Sequence, residues 1–361
     1  MQNSGVLTIS NFVTRGSVVN NCVVIPLFIC LFLISCSNSV TETGFSDKYL
    51  FFEEAEEQEA KERIWKKVSL KKIAEIPSDE ETVLYNAGIL VPDTNGDIYV
   101  VDYGVFEILR FDSNGTYVMS YGDGAGNAPG EFSSITDIKI ASDSTIYVID
   151  HSAKRISLFL KENGELIDTK SFTGLKSPMR YAATDSGIEY IAHIDSKKMF
   201  SSKFGENVVE FGELLENHDG LGLIGALVDG DLVTYKENMV YAFARFPLIL
   251  IYDPDGNLIL SKKTMAYGDD FQRPEVIQST MNQMVTFVTE GEVVNAMMSV
   301  DKDKLFLAGR VDEDMVIDVY EAESADYEYS FKAPNYAYAF IMNDRMYQPL
   351  DTTVAIFSME E

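Results

Sequence analysis

The feature that most constrains this chain is a repeat. Asn95-Gly96-Asp97-Ile98-Tyr99-Val100-Val101-Asp102 is followed by Ile108-Leu109-Arg110-Phe111-Asp112-Ser113-Asn114-Gly115. Asp143-Ser144-Thr145-Ile146-Tyr147-Val148-Ile149-Asp150 is followed by Arg155-Ile156-Ser157-Leu158-Phe159 and then Asn163-Gly164, 48 positions further on. Each unit is a short run of β-branched and aromatic residues, a polar turn, a second run and an Asx-Gly turn. Such runs read as buried strands. Asn-Gly and Asp-Gly supply the positive φ that tight hairpins need. The runs alternate poorly between apolar and polar, as expected of a sheet covered on both faces.

Fainter copies follow at Ile188–Ala192, Leu232–Tyr235, Leu305–Ala308 and Arg345–Tyr347, with outer-strand partners at Leu250–Asp253 and Val316–Tyr320. Most spacings fall at roughly 40–48 residues, the period of a propeller blade. The step from Leu232 to Leu305 is longer, which places an insertion near 265–295, with Gln278–Phe287 as a possible helix. The count is six units. Val68–Ile76 is a spare strand before the first, expected to pair with the last blade near Thr353–Phe357 and so remove exposed sheet edges. The expected fold is all-β: a six-bladed β-propeller, NHL/TolB-like, spanning 67–361 and closed by an N-terminal strand.

The element Gly122-Asp-Gly-Ala-Gly-Asn-Ala-Pro-Gly130-Glu131-Phe132, followed by Asp137-Ile138-Lys139-Ile140, Ile146-Tyr147-Val148-Ile149-Asp150 and Arg155-Ile156-Ser157-Leu158-Phe159, resembles an NHL repeat. The match covers one blade well and a second in part; the other four share the strand pattern alone.

Before Glu42 the only charged side chain is Arg15, and an apolar stretch runs from Val23 to Ile34. A dozen residues are too few for a bilayer crossing, which takes about 20; they suit the h-region of an export signal. Leu33-Ile34-Ser35-Cys36 resembles the lipobox of bacterial lipoproteins. That resemblance makes 1–35 a lipoprotein signal peptide and Cys36 the lipidated N-terminus of the mature chain. The whole layout is similar to the 6-bladed β-propeller lipoproteins common in Bacteroidetes, most of which have no assigned activity. The resemblance implies a cell-envelope location, held to the membrane by N-terminal lipid.

Cys22 and Cys30 fall in the leader, so Cys36 is the single thiol of the mature chain. An intramolecular disulfide, a thiolate metal site and a Cys nucleophile in the propeller are thereby excluded. Residues 36–66 read as a polar tether and a short linker helix. From Phe52 to Lys66 acid dominates early and base late, which suits a helix dipole. The formal net charge of −28 keeps a chain soluble and repels polyanions, so no nucleic acid is expected as a partner.

Chemistry is harder to find. NHL-like amidating lyases hold zinc with histidines from separate blades, and zinc catalysis wants three such ligands. The chain has three: His151, His193 and His218. His193 aligns with Asp150, one residue off His151, and His218 sits in a turn sequence, so the register does not make a zinc set. Asp93-Thr-Asn95-Gly-Asp97 has the spacing of a calcium loop, but Gly104 stands where the bidentate Glu belongs. It reads as a hairpin turn. No Ser/His/Asp order or phosphate loop is present. Tyr336-Ala-Tyr338-Ala-Phe340 could stack on sugar rings or grip a peptide, though blade packing explains it as well.

The expected function is therefore a lipid-anchored binding or scaffolding protein, recognising an envelope protein, peptide or glycan through propeller loops. The Gly122–Glu131 loop and the 265–295 insertion are the expected variable contacts. No catalytic residue and no cofactor is assigned, with structural or catalytic calcium or zinc left open. The alternative is a metal-dependent hydrolase or lyase at the channel.

Overall fold

A computed structural model describes residues 51–77, 82–141, 144–172, 177–194, 198–213, 229–266, 275–278, 285–288, 297–311, 314–334 and 338–360. The leader, Cys36, the polar tether and His218 lie outside the described residues. The described secondary structure is all strand. It begins with β1 (Ser69–Ile76), whose partner comes last in the chain.

Six four-stranded antiparallel sheets form the blades. Blade one holds β2 (Ala87–Pro92), β3 (Ile98–Asp102), β4 (Glu107–Phe111) and β5 (Tyr117–Tyr121). Blade two holds β6 (Ile135–Ile140), β7 (Thr145–Asp150), β8 (Arg155–Leu160) and β9 (Leu166–Ser171). Blade three holds β10 (Ser177–Ala183), β11 (Glu189–Ile194), β12 (Phe200–Phe204) and β13 (Asn207–Phe211). Blade four holds β14 (Gly230–Tyr235), β15 (Asn238–Phe243), β16 (Leu248–Tyr252) and β17 (Leu258–Lys263). A separate pair, β18 (Glu275–Gln278) with β19 (Val285–Val288), follows. Blade five holds β20 (Met297–Asp301), β21 (Lys304–Val311), β22 (Asp314–Glu321) and β23 (Tyr327–Ala333). Blade six holds β24 (Phe340–Met342), β25 (Arg345–Pro349) and β26 (Val354–Glu360), with β1 as its outer strand.

The closing strand is where the sequence placed it. Ser69 pairs with Glu360 and Ile76 with Val354, antiparallel throughout. The chain's two ends thus share one blade, and the ring closes without a free edge at the seam. In blades one and two the second strand is the most deeply buried. β3 and β7 are buried at every residue, because a blade packs against a neighbour on each face. Core clusters accordingly span adjacent blades: Tyr99, Val101 and Ile108 of blade one pack with Ile138, Ile146 and Val148 of blade two.

The repeated Asp at the end of the second strand has a structural task. Asp102 carboxylate oxygens accept the N–H groups of Tyr85, Asn86 and Gly104 at 2.8–3.0 Å. Asp150 does the same for Ser133, Ser134 and Ala153 at 2.9–3.1 Å. Each carboxylate is buried and satisfies a loop backbone that would otherwise lose its hydrogen bonds.

Three sequence expectations need correction. Leu232–Tyr235 lies on β14, the innermost strand, whereas the other five repeat segments lie on second strands; in blade four that position belongs to β15. The blade's turn before β15 is Lys236-Glu237, with Lys236 at φ 53, and lacks the Asx-Gly signature that marked blade one. In the insertion, Gln278 and Val285–Phe287 lie on a β-pair in place of the helix expected over Gln278–Phe287; 279–284 lie outside the described residues.

The third correction concerns residues 52–66, which form no helix. They run as an extended strap along the outer edges of blades four and five. Glu56 bridges Lys262 and Trp65 bridges Ser330, both parallel. The backbone bonds are Glu56 N to Ser261 O at 2.9 Å, Lys263 N to Glu56 O at 2.8 Å and Lys66 N to Ser330 O at 2.8 Å. Phe52, Ala55 and Gln58 are buried, every third residue, with exposed acids between. The segment lacks the wide apolar stripe that would hold a helix to a core, and a lone helix of this length is marginal. The open edges of β17 and β23 offer unpaired backbone groups instead, and tertiary pairing overrides local propensity.

Candidate functional site

The innermost strands of all six blades line the axial channel and enclose a cavity of about 270 Å³. Ile89, Leu90 and Val91 come from β2, and Thr136, Asp137 and Lys139 from β6. Met179 and Arg180 come from β10, Asp229 and Asp231 from the start of β14, Met297 from β20, and Phe340 from β24. Tyr103, just after β3, and Tyr338, just before β24, complete it with Ile135.

Bulges aim several of these side chains. The register of β2 shifts between Ala87 and Leu90, that of β6 between Ile135 and Asp137, and that of β10 between Pro178 and Arg180. The residues inside those shifts include Ile89, Thr136 and Met179, each a wall residue. A bulge turns an extra side chain out of the pleat, and Pro178 suits one because it has no N–H to give the ladder. Gly88, beside Ile89, is required for a different reason: a Cβ there would sit 2.1 Å from the Tyr103 ring. Tyr103 lies flat against that glycine and donates its hydroxyl to Ile135 O at 3.1 Å, joining blades one and two.

The charged side of the wall is tightly bonded. Arg180 Nη1 donates to Thr136 O at 3.1 Å and Met179 O at 3.0 Å, and Nη2 to Asp229 Oδ1 at 3.0 Å. Asp137 Oδ2 accepts Tyr181 N at 3.0 Å, and its Oδ1 faces Lys139 Nζ at 3.5 Å. Asp231 accepts Leu232 N at 2.9 Å and, across the blade boundary, Met298 N at 2.8 Å. Gly230 separates the two aspartates of β14; a Cβ there would lie 2.3 Å from Ala242 O, so only glycine lets the strand seat against β15.

Burial pushes the Asp137 carboxyl above the ordinary carboxylate range, against the pull of Lys139 and Arg180. Burial works against the Arg180 charge as well, but Asp229, Asp137 and Asp231 together outweigh it and hold the guanidinium above its usual value. The Tyr103 hydroxyl is pushed up to about 12, chiefly by burial. Near neutral pH the wall therefore holds a neutral Tyr103 and a charged Arg180.

The residues singled out in the sequence lie elsewhere, apart from Tyr338 and Phe340. His193 is buried on β11 and shares a 2.8 Å hydrogen bond between Nε2 and Ser201 Oγ. His151 follows β7, its N–H bonded to Ser134 O at 3.0 Å. Neither lines the channel. The Asp93–Asp97 segment is a hairpin turn: Asp93 Oδ1 accepts Asn95 N at 2.8 Å and Asp97 N at 3.0 Å. Its remaining carboxylate oxygen meets Lys161, and Asp97 is held by Arg110. Among the described residues, no group of three or more His, Cys, Asp and Glu is placed to share a metal ion.

The Gly122–Glu131 loop is pinned from within. Arg155 donates to Asn127 O at 2.9 Å and to Glu131 O. Glu131 Oε2 accepts Ala128 N at 2.9 Å, and Phe132 is buried. The Gly122–Phe132 part of the NHL-like element is thus loop architecture. Asp137 and Lys139 stood in the NHL-like element as strand residues; the site escaped the sequence reading because Arg180, Asp229 and Asp231 are far from them in the chain. The one available signal was the Asp229-Gly230-Asp231 triplet, which reads as a turn.

No curated protein matches the chain. Among solved structures it is similar to a protein of Bacteroides fragilis NCTC 9343 described as exported, at 12% identity and a TM-score of 0.57, covering 84% of this chain and 99% of that one. A Bacteroides vulgatus ATCC 8482 protein of the DUF4221 family has 15% identity and a TM-score of 0.48, covering 81% and 99%. Virginiamycin B lyase from Staphylococcus aureus has 10% identity and a TM-score of 0.49, covering 80% and 99%. The first of these supports the fold. A family profile described as 6-bladed beta-propeller, DUF5128, matches residues 80–340, and the chain belongs to that family.

Proposed function

We propose that this chain is an extracytoplasmic binding module, held to a membrane by lipid on Cys36, whose ligand enters the axial channel. The observation that carries this reading is the cavity on which all six innermost strands converge, walled by buried charge on one side and by apolar and aromatic residues on the other. Concave sites with a few placed polar groups are where ligands bind, and propellers present theirs at the end of the central channel. The leader and the lipobox-like Leu33–Cys36 support the envelope location, as does the similarity to the Bacteroides fragilis protein described as exported.

Binding is favoured over metal-dependent chemistry by the wall itself. Among the described residues no group of three or more His, Cys, Asp and Glu is placed to share a metal ion, and no histidine lines the cavity. The test is ligand retention. Full-chain protein and a Met179→Trp variant, which fills the cavity, are each incubated with a soluble envelope extract, and bound small molecules and peptides are identified by mass spectrometry. A compound retained by the native chain and lost from the variant supports the reading. Identical retention by both would sink it.

A further inference from the structure

Resting on the reading of the channel as the ligand site, we infer that the group received there is a protonated amine on a short apolar stem, carried by a free alkylamine or by a lysine side chain. Size limits the ligand first. Small-molecule pockets run from about 300 to 1,000 Å³; at about 270 Å³ this cavity holds one small molecule or one side chain.

Charge limits it next. Three carboxylates, Asp137, Asp229 and Asp231, stand beside two cations, Lys139 and Arg180, so the wall carries no net positive charge whichever form the buried Asp137 takes. The guanidinium is already committed to two carbonyls and to Asp229. Lys139 faces Asp137. An anion would therefore compete with carboxylates for donors in use. A cation finds an acceptor in Asp229: the bonds from Arg180 and Gly230 both reach Oδ1, and the side chain is partly exposed. An ammonium group donates three hydrogen bonds.

Two further facts act in the same direction. The whole chain carries a net charge of −28, and a field of that sign concentrates cations at a channel mouth and disfavours anions. The stem has its own surface in Met179, Met297 and Phe340, and Tyr338 offers a ring face for the charge.

The experiment is calorimetric titration of the full-chain protein in detergent. The probes are n-butylamine, Nα-acetyl-lysine methylamide, butyrate, 1-butanol and calcium chloride, against the native chain, Asp229→Asn and Met179→Trp. The expected result is binding of the two amines to the native chain, at least about tenfold weaker to Asp229→Asn and absent from Met179→Trp. Tighter binding of the alkylamine identifies the free amine as the source; tighter binding of the acetyl-lysine amide identifies a peptide side chain. Butyrate, butanol or calcium bound as tightly as the amines overturns the inference, as does amine binding untouched by Asp229→Asn. If Met179→Trp abolishes that other binding, the channel reading survives and the amine assignment alone falls. If no probe binds, the inference falls. If every probe binds the Met179→Trp chain unchanged, both fall. Should Met179→Trp fail to fold, Asp229→Asn, on a partly exposed side chain, still decides the amine question.

Discussion

The strap predicts its own energetics. Gln58 is 7% exposed and makes three hydrogen bonds across two blades: Nε2 donates to Lys263 O at 2.8 Å and to Ala325 O at 2.9 Å, and Oε1 accepts Tyr327 N at 2.9 Å. Gln58→Ala deletes all three and leaves three backbone groups of blades four and five without partners. Each hydrogen bond contributes about 0.5–1.5 kcal/mol net, and a buried group left unsatisfied costs about 1–3 kcal/mol. Water entering the vacated space recovers part of this, so the expected loss is about 2–4 kcal/mol. The assay is a urea midpoint for the full chain beside Glu59→Ala, whose side chain is exposed. Trypsin supplies a local readout, because Lys61, Arg63, Lys66 and Lys67 lie in the strap. Cleavage there is expected to accelerate before the ring unfolds, since opening one segment takes less free energy than global unfolding. A midpoint shift worth less than about 0.5 kcal/mol, with strap cleavage unchanged, would refute the view that pairing holds this segment.

The other predictions address the loop, the channel and the anchor. Asp150→Ala strands the N–H groups of Ser133, Ser134 and Ala153 and is expected to cost about 3 kcal/mol, with new protease cuts in 122–134; an intact loop would contradict the role given to that carboxylate. Gly230→Ala drives a Cβ to 2.3 Å from Ala242 O and is expected to cost about 1–3 kcal/mol, read as a lower thermal midpoint. Asp137 is held above its ordinary range by burial while facing Lys139, Arg180 and Asp231. A raised folded pKa makes the ionised form a cost near neutral pH, and that cost disappears as pH falls through the folded value toward about 4. Asp137→Asn is therefore expected to unfold at higher urea than the native chain near neutral pH, the gap narrowing in acid; a gap that widens in acid reverses the sign and refutes it. Cys36→Ala is expected to move the protein from the membrane to the soluble fraction, and retention in the membrane would remove the lipid anchor from the account.

Much of the fold could be read from local chemistry. Ile98–Asp102 and Ile146–Asp150 announce buried second strands because two-sided burial leaves an apolar run bounded by turn residues. The closing strand was visible as an extra run at 68–76 with nothing beside it in sequence. Blade four slipped by one strand because Leu232–Tyr235 follows Asp229-Gly230-Asp231, a triplet that looks like a turn and is in truth a strand start lining the channel. The strap was misread because its acids and bases suit a helix, while its actual partners, Ser261, Lys263 and Ser330, lie some 200 residues away or more. The channel was invisible for the same reason: Thr136, Arg180 and Asp229 meet only when blades two, three and four are curved round one axis. Local pattern reports strands and turns; convergence is a property of the closed ring.

The central claim is that the axial cavity receives the ligand. Its most direct test is the affinity of one retained compound, measured by titration against the native chain and against Met179→Trp. The account predicts at least a tenfold loss in the variant, about 1.4 kcal/mol or more, with its thermal unfolding otherwise cooperative. Equal affinity in a folded Met179→Trp chain would contradict it and move recognition to another surface of the propeller.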